Sequence, residues 1–300
     1  MDNKKLKSEN TKLVIAISSR ALFNLDPSHK IFKEKGIEAY AKHQQENEHV
    51  ILEPGVGFTL VKKLLKLNSK KTPIDVILLS RNSADTGLRI FNSIEHYDLN
   101  ISRAAFTRGE STHPFVGAFE ADLFLSSNYN DVQKALQSGY AAASIVESKS
   151  NNSHPSQLRI AFDGDAVIFS DESERIFQEK GLEAFHENEI LSEKIELKAG
   201  PFKSFLVSLQ KIQSTFPEED NPIRTALVTA RSAPSHRRVI HTMRKWGIRI
   251  DESFFLGGLE KGVFLRQFAA DIFFDDQQQH CESASQYVPT GHVPSGIKNS

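Results

Sequence analysis

Four acidic residues in this chain stand directly behind apolar runs. Asp163 and Asp165 close RIAFDGD, and Asp275 and Asp276 close ADIFFDD. A carboxylate left unpaired in an apolar interior is costly, so two such pairs need a chemical reason. Asp163 and Asp165 are two residues apart and face the same side while the backbone stays extended. Gly164 between them lets the chain begin to turn. Two carboxylates about 4 Å apart repel by about 4 kcal/mol at an effective dielectric of about 20. A second acidic pair beside the first therefore calls for a cation. Oxygen donors, a single cysteine in the chain and few nearby histidines select Mg²⁺. Two further polar signals follow apolar runs: Thr229-Ala230-Arg231 after RTALV, and Lys261 after SFFLGGLE. A carboxylate nucleophile, a metal, an ammonium and a hydroxyl are the parts that phosphoryl transfer uses.

These residues converge only if the intervening elements bring them to one place. Strands are predicted at LRIAF (158–162), RTALV (224–228), SFFL (253–256) and ADIFF (270–274). Between them lie the helical stretches SERIFQEKGLEAF, PFKSFLVSLQKIQ and PSHRRVIHTMRKWG, the last with a glycine stop. Alternating apolar strands and amphipathic helices predict an α/β fold, a parallel sheet with helices on both faces. In such sheets ligands bind beyond the carboxyl ends of the strands. That is where every residue named above falls.

The pattern occurs twice. Residues 13–40 and 158–185 align at a constant offset of 145, with 13 of 28 positions identical. TPIDVILLSRNSA (72–84) lies over NPIRTALVTARSA (221–233), and FEADLFLSS (119–127) over FAADIFFDD (268–276), both at an offset of 149. The chain therefore reads as a polar tail (1–12), one unit over 13–150 and a second over 157–300, joined by the polar ESKSNNSHPSQ. In the first unit the counterparts of Asp163, Asp165, Thr229, Lys261, Asp275 and Asp276 are Ser18, Arg20, Ser80, Thr112, Ser126 and Ser127. With all four acids gone, that copy is expected to hold no Mg²⁺ and to pack against the second one. Arg20 is expected to reach Ser126 or Ser127, filling the vacated cation position.

The order D-x-D, Thr, Lys, Asp-Asp, each after an apolar strand, resembles the haloacid dehalogenase (HAD) superfamily of phosphatases. FDGDAVIFSDESERIF, LVTARSA and FFDDQ followed by HVPSG are similar to cytosolic 5′-nucleotidases of class I, and VIAISSRALF and NSIEHYDL extend the likeness into the first unit. The resemblance implies an internally duplicated HAD-like Rossmannoid fold, with a small helical cap after Asp165 through HENEILSEKIELKAG. It implies Mg²⁺-dependent hydrolysis of nucleoside 5′-monophosphates, chiefly AMP. Asp163 would attack phosphorus and Asp165 would act as acid and then base. The metal would be held by Asp163, the backbone carbonyl of Asp165, Asp275 and the helper Asp276. Thr229, Ala230, Arg231 and Lys261 would face the substrate, Arg231 being equally readable as a surface ion pair.

Two alternatives stay open: a phosphatase of sugar phosphates or other small phosphomonoesters, and a regulator that binds nucleotide without turnover. A D-x-D alone also serves glycosyltransferases, and response-regulator receivers place their acidic pair first rather than last.

Composition bounds the rest. The net charge of −1 and pI near 6.8 carry no basic excess for a nucleic-acid polymer. No stretch approaches the roughly 20 apolar residues of a membrane span, and the lysine-rich MDNKKLKSENTK is not followed by a leader-like apolar run. One cysteine, Cys281, permits no intrachain disulfide and suits a reducing cytoplasm. It is expected to be inert, on a helix. His236, His241, His280 and His292 lack metal-ligand spacing and read as structural. The expected partner is a nucleoside monophosphate, with a homo-oligomer left open.

Overall fold

The computed structural model describes residues 12–70, 72–146, 148 and 154–299. The expected polar tail (apart from Lys12) and most of the linker lie outside the described residues. The first half runs β1 (Leu13–Ser18), α1 (Ser19–Leu22), α2 (Asp26–Glu46), α3 (Phe58–Leu67), β2 (Ile74–Ser80), α4 (Ala84–His96), β3 (Arg103–Phe106), α5 (His113–Ala118), β4 (Leu123–Ser126), α6 (Tyr129–Gln137) and β5 (Ala142–Val146). The second runs β6 (Leu158–Phe162), α7 (Glu172–Leu191), α8 (Lys203–Gln213), β7 (Ile223–Thr229), α9 (His236–Trp246), β8 (Glu252–Phe255), α10 (Gly262–Phe268), β9 (Ile272–Asp275), α11 (Gln278–Ala284) and β10 (Thr290–His292). All four predicted strands are present within two residues of their expected bounds. Gly247 stops α9 with φ 63°, a left-handed conformation that glycine adopts without a Cβ clash.

Ten strands form one sheet in the order β3-β2-β1-β4-β5-β10-β9-β6-β7-β8. Counted from either outer edge, the order of each half is the same. Pairing is parallel throughout except at the seam, where β5 and β10 run antiparallel with Gly291 opposite Ile145. Each α/β unit supplies five parallel strands. The structure fuses them, because the last strand of each half pairs with that of the other. The carboxyl ends of the two half-sheets therefore point to opposite rims.

The repeat extends to hydrogen bonds that no periodicity displays. Asp122 Oδ2 accepts from Val14 N at 2.9 Å, as Asp271 Oδ2 accepts from Arg159 N at 2.7 Å. Arg89 donates to Gln44 Oε1 and Val50 O, as Arg238 donates to Glu189 Oε1 and Ile195 O. Gly36 (φ 81°, ψ −175°) and Gly181 (φ 82°, ψ −178°) break α2 and α7 in the same way.

The constant offset of 145 conceals two compensating slips. Phe23 N bonds Ser19 O, four residues back, whereas Phe169 N bonds Gly164 O, five residues back. The turn after β6 thus holds one extra residue among Asp165 and Ala166, and the register recovers between Asp171, which accepts from Arg175 N as Leu25 does from His29 N, and Ser173, the counterpart of Ser28. Ala166, not Gly164, carries the left-handed φ of 59°. At Gly164 space is tight rather than strained, since a Cβ there would sit 3.3 Å from Thr229 Oγ1 and press on it by a few tenths of an ångström.

One apolar core runs beneath both halves on one face of the sheet, from Leu13 and Ile74 through Phe162, Phe205 and Phe274. The opposite face carries a separate core in each half. Across the seam Lys63 Nζ donates to both oxygens of Asp271 at 2.6 Å, and its counterpart contact, Ser208 Oγ to Asp122 Oδ1, measures 2.8 Å. One clasp is a largely buried ion pair, the other a hydroxyl donating to a carboxylate. Removing one partner of a buried ion pair costs about 3–5 kcal/mol, and a hydrogen bond to a charged group about 1.5–3 kcal/mol. Lys63→Ala is therefore expected to lower the thermal midpoint below that of Ser208→Ala. Equal midpoints in a melting experiment would refute the charged clasp.

Candidate active site

The carboxyl ends of β6 and β9 are neighbours in the sheet, with Phe162 paired to Phe274. Their connections leave in opposite directions, to β7 on one side and α11 and β10 on the other. That is the switch point where open α/β sheets leave a crevice. Asp163 follows β6, Asp275 ends β9 and Asp276 follows it. The carboxylates of these three residues each offer an oxygen within 4.8 Å of the others, and all three side chains are buried. The sequence expectation that the two acidic loops share one rim is met in full for these residues.

Lys261, entering from the loop after β8, is the cluster's counter-charge. Its Nζ donates to Asp163 Oδ1 and Asp275 Oδ2, each at 2.6 Å. Burial works against the ammonium, but Asp163 and Asp275 outweigh it and raise its pKa. Burial would also raise Asp275, yet Lys261 and then His280 hold it at about 2. Asp163 and Asp276 are less well served. Burial pushes Asp163 up to about 7, with Asp275 adding to the push and Lys261 opposing it. Burial, then the charges of Asp163 and Asp275, push Asp276 up to about 9. Backbone bonds lock the loop: Gln277 N donates to Asp275 Oδ1 at 2.8 Å, and Asp276 O accepts from His292 Nε2 at 3.0 Å and Asn299 Nδ2 at 2.8 Å.

Thr229 ends β7 beside this cluster, buried, with its Oγ1 accepting from Arg231 N at 3.2 Å. Ala230 is exposed. Asp165 stands apart from the three clustered acids. Arg231 grips it by both oxygens, Nε to Oδ2 at 2.8 Å and Nη2 to Oδ1 at 2.7 Å, and gives Nη1 to Glu189 Oε2 at 2.6 Å. Arg231 is only 4% exposed. The reading of Arg231 as a surface ion pair is thus corrected: the pair is buried, and the guanidinium's Nε, Nη1 and Nη2 are all bound by carboxylates. Burial disfavours its charge, but Asp165 and Glu189 outweigh that and raise its pKa.

Sequence reasoning missed three contributors. Glu189 and Arg238 carry no motif, because their pairing joins α7 to α9. His280 was read as structural, yet its Nδ1 lies 3.3 Å from Asp275 Oδ2. Its place one helical turn beyond Asp-Asp was the available signal. His292, by contrast, is buried against Asp276 O and stacked on Tyr129 of the first half at 6.2 Å. Cys281 sits buried on α11, and burial pushes its thiol up, out of the reactive range. In the first half, Arg20 does not reach Ser126 or Ser127. Its Nε and Nη2 pair with Asp26 Oδ1, six residues on at the start of α2, because a local carboxylate competes better than two hydroxyls.

The donor set fits a hard divalent cation. Three carboxylates against one ammonium leave an excess of negative charge, all ligand atoms are oxygens, and two of the acids lack a full counter-charge. Among the described residues no helix is long and apolar enough to cross a membrane.

Comparison with known proteins agrees with this chemistry. A model of the 5′-nucleotidase family matches residues 5–300. Cytosolic 5′-nucleotidase 1B of Homo sapiens is 40% identical over 288 residues, covering 91% of this chain and 47% of that protein. The chain thus spans about half the length of this curated relative. No solved structure matches it. The chain belongs to the 5′-nucleotidase family.

A cation entering the cluster must displace the proton that Asp276 holds below a pH of about 9. Its apparent affinity should therefore rise with pH by up to about tenfold per unit between 7 and 9, more steeply below 7 where Asp163 also holds a proton, and then level off. Calorimetric titration with Mg²⁺ and Mn²⁺ across that range checks this. An affinity independent of pH would show that no protonated carboxyl is displaced.

Proposed function

We propose that this member of the 5′-nucleotidase family hydrolyses nucleoside 5′-monophosphates, AMP foremost, to nucleoside and phosphate with the help of Mg²⁺. The observation that carries the reading is Asp163, buried at the switch point against Lys261 and within ligand distance of Asp275 and Asp276. In the first step a carboxylate oxygen of Asp163 attacks phosphorus as the bond from phosphorus to the ribose 5′-oxygen breaks. Asp165 gives its proton to that oxygen, and the nucleoside departs. In the second step Asp165, now a carboxylate, takes a proton from water. The water oxygen attacks phosphorus, the bond to Asp163 breaks, and phosphate leaves. Thr229 and Lys261 hold phosphate oxygens, with the backbone at Ala230 beside them. Arg231 contributes through Asp165 rather than by touching phosphate. Asp163, the Asp165 carbonyl and Asp275, helped by Asp276, would hold Mg²⁺, which when bound neutralises charge on the phosphoryl oxygens.

In this reading residues 157–300 are catalytic and residues 13–150 are a degenerate copy, since Ser18, Ser126 and Ser127 offer no carboxylate. A cytoplasmic location is inferred with it, in keeping with the relative's name.

Phosphate release from a panel of nucleoside and sugar monophosphates, with and without EDTA, tests the reading. AMP should be turned over and EDTA should stop the reaction. Preference for a sugar phosphate would overturn the substrate, and no turnover at all would overturn the activity. Asp163→Asn should lower kcat by at least about 10³-fold. It should leave the melting midpoint intact, because the site already disfavours that charge. Retained turnover would remove Asp163 from the nucleophile's role.

A further inference from the structure

Behind Asp165 lies a buried ionic chain. Glu189 of α7 is 2% exposed and accepts from Arg231 Nη1 at 2.6 Å, Arg238 Nη1 at 2.9 Å and Ser173 Oγ at 2.9 Å. Arg238 continues to Glu172 Oε1 at 2.9 Å. The ring of Phe185, also on α7, lies 5.4 Å from the Arg231 guanidinium. Charges this deeply buried seldom add stability over neutral groups of similar shape, so the chain needs another explanation.

The duplicated half supplies the control. There, Ser28, Gln44, Arg89 and Val50 O reproduce Ser173, Glu189, Arg238 and Ile195 O bond for bond. This outer limb is present with or without catalytic acids, so the fold requires it. The inner limb differs. Where the second half has Phe185, Glu189 and Arg231, the first has Tyr40, Gln44 and Asn82. They are joined by the neutral bonds Gln44 Nε2 to Tyr40 Oη at 3.1 Å and Tyr40 Oη to Asn82 Oδ1 at 2.8 Å. The fold is thus satisfied by an uncharged inner limb. The charged version occurs in the half that has Asp165 to hold.

Asp165 also has particular need of a hold. It lies in the turn with the extra residue, next to Ala166 at positive φ, where no regular helical turn fixes its direction. The bidentate fork of Arg231 supplies that direction, while each carboxylate oxygen keeps a further site for a reacting proton.

We propose that Arg231 is the positioning residue of Asp165, and that Glu189 anchors Arg231, so that helix α7 sets where the acid–base group points. The inference rests on the role given to Asp165 above. Its test uses two esters. AMP leaves as an alkoxide that needs a proton, whereas p-nitrophenyl phosphate releases a phenolate that does not. kcat/KM reports only on the steps up to that departure. Arg231→Lys and Glu189→Gln should lower kcat/KM for AMP by about 10–100-fold and that for p-nitrophenyl phosphate by no more than about threefold. Glutamine at 189 is the residue that the other half tolerates, so Glu189→Gln keeps the test open should Arg231→Lys fail to fold. In an Asp165→Asn background, Arg231→Lys should lower kcat/KM for AMP no further. An equal fall on both esters, or additive losses, overturns the inference and leaves the nucleotidase reading standing. Wild-type protein that releases phosphate from neither ester overturns both.

Discussion

One ammonium makes the site possible. Without Lys261 between Asp163 and Asp275, two fully desolvated carboxylates at adjoining strand ends would repel each other with nothing to offset the repulsion. With it, Asp275 is firmly ionised, and the remaining misfit falls on Asp163 and Asp276, the two groups that a divalent ion would satisfy. The lysine and the ion thus divide one electrostatic task, and the switch point of the sheet is where both have room to do it. The first half makes the same case by subtraction. With serines at three of the four acid positions and Arg20 at the other, Thr112 stands at the lysine's position but donates to Asp131 at 3.3 Å, and Arg20 turns away to a local aspartate.

Much of this was legible from residue order alone. Apolar runs and glycine stops located the strands and α9, because those signals are local. Acids placed directly after strands located the buried carboxylate cluster, because a parallel sheet gathers its strand ends. Lys261 was found for the same reason. What escaped the sequence was of two kinds. Partnerships between helices, such as Glu189 with Arg231 and Arg238, follow no periodicity, and glutamate on a helix ordinarily reads as solvated. The one-residue slip at Asp165 and Ala166 was hidden because a second slip between Asp171 and Ser173 restored the alignment. Identity counts are blind to compensating insertions, whereas a bond reaching five residues back instead of four is not.

The duplication also separates what the fold needs from what the chemistry needs. Paired aspartates at the strand starts, the broken helices at Gly36 and Gly181, and the outer arginine limb recur in both halves. The acids, the lysine and the inner charged limb do not.

The antiparallel seam between β5 and β10 gives the half without the acids a structural part in the other. A half-sheet on its own would end in β10, a short strand whose open side would offer bare amides and carbonyls beside an apolar underside. The first half closes that side with a matching strand, so that neither half leaves this edge bare.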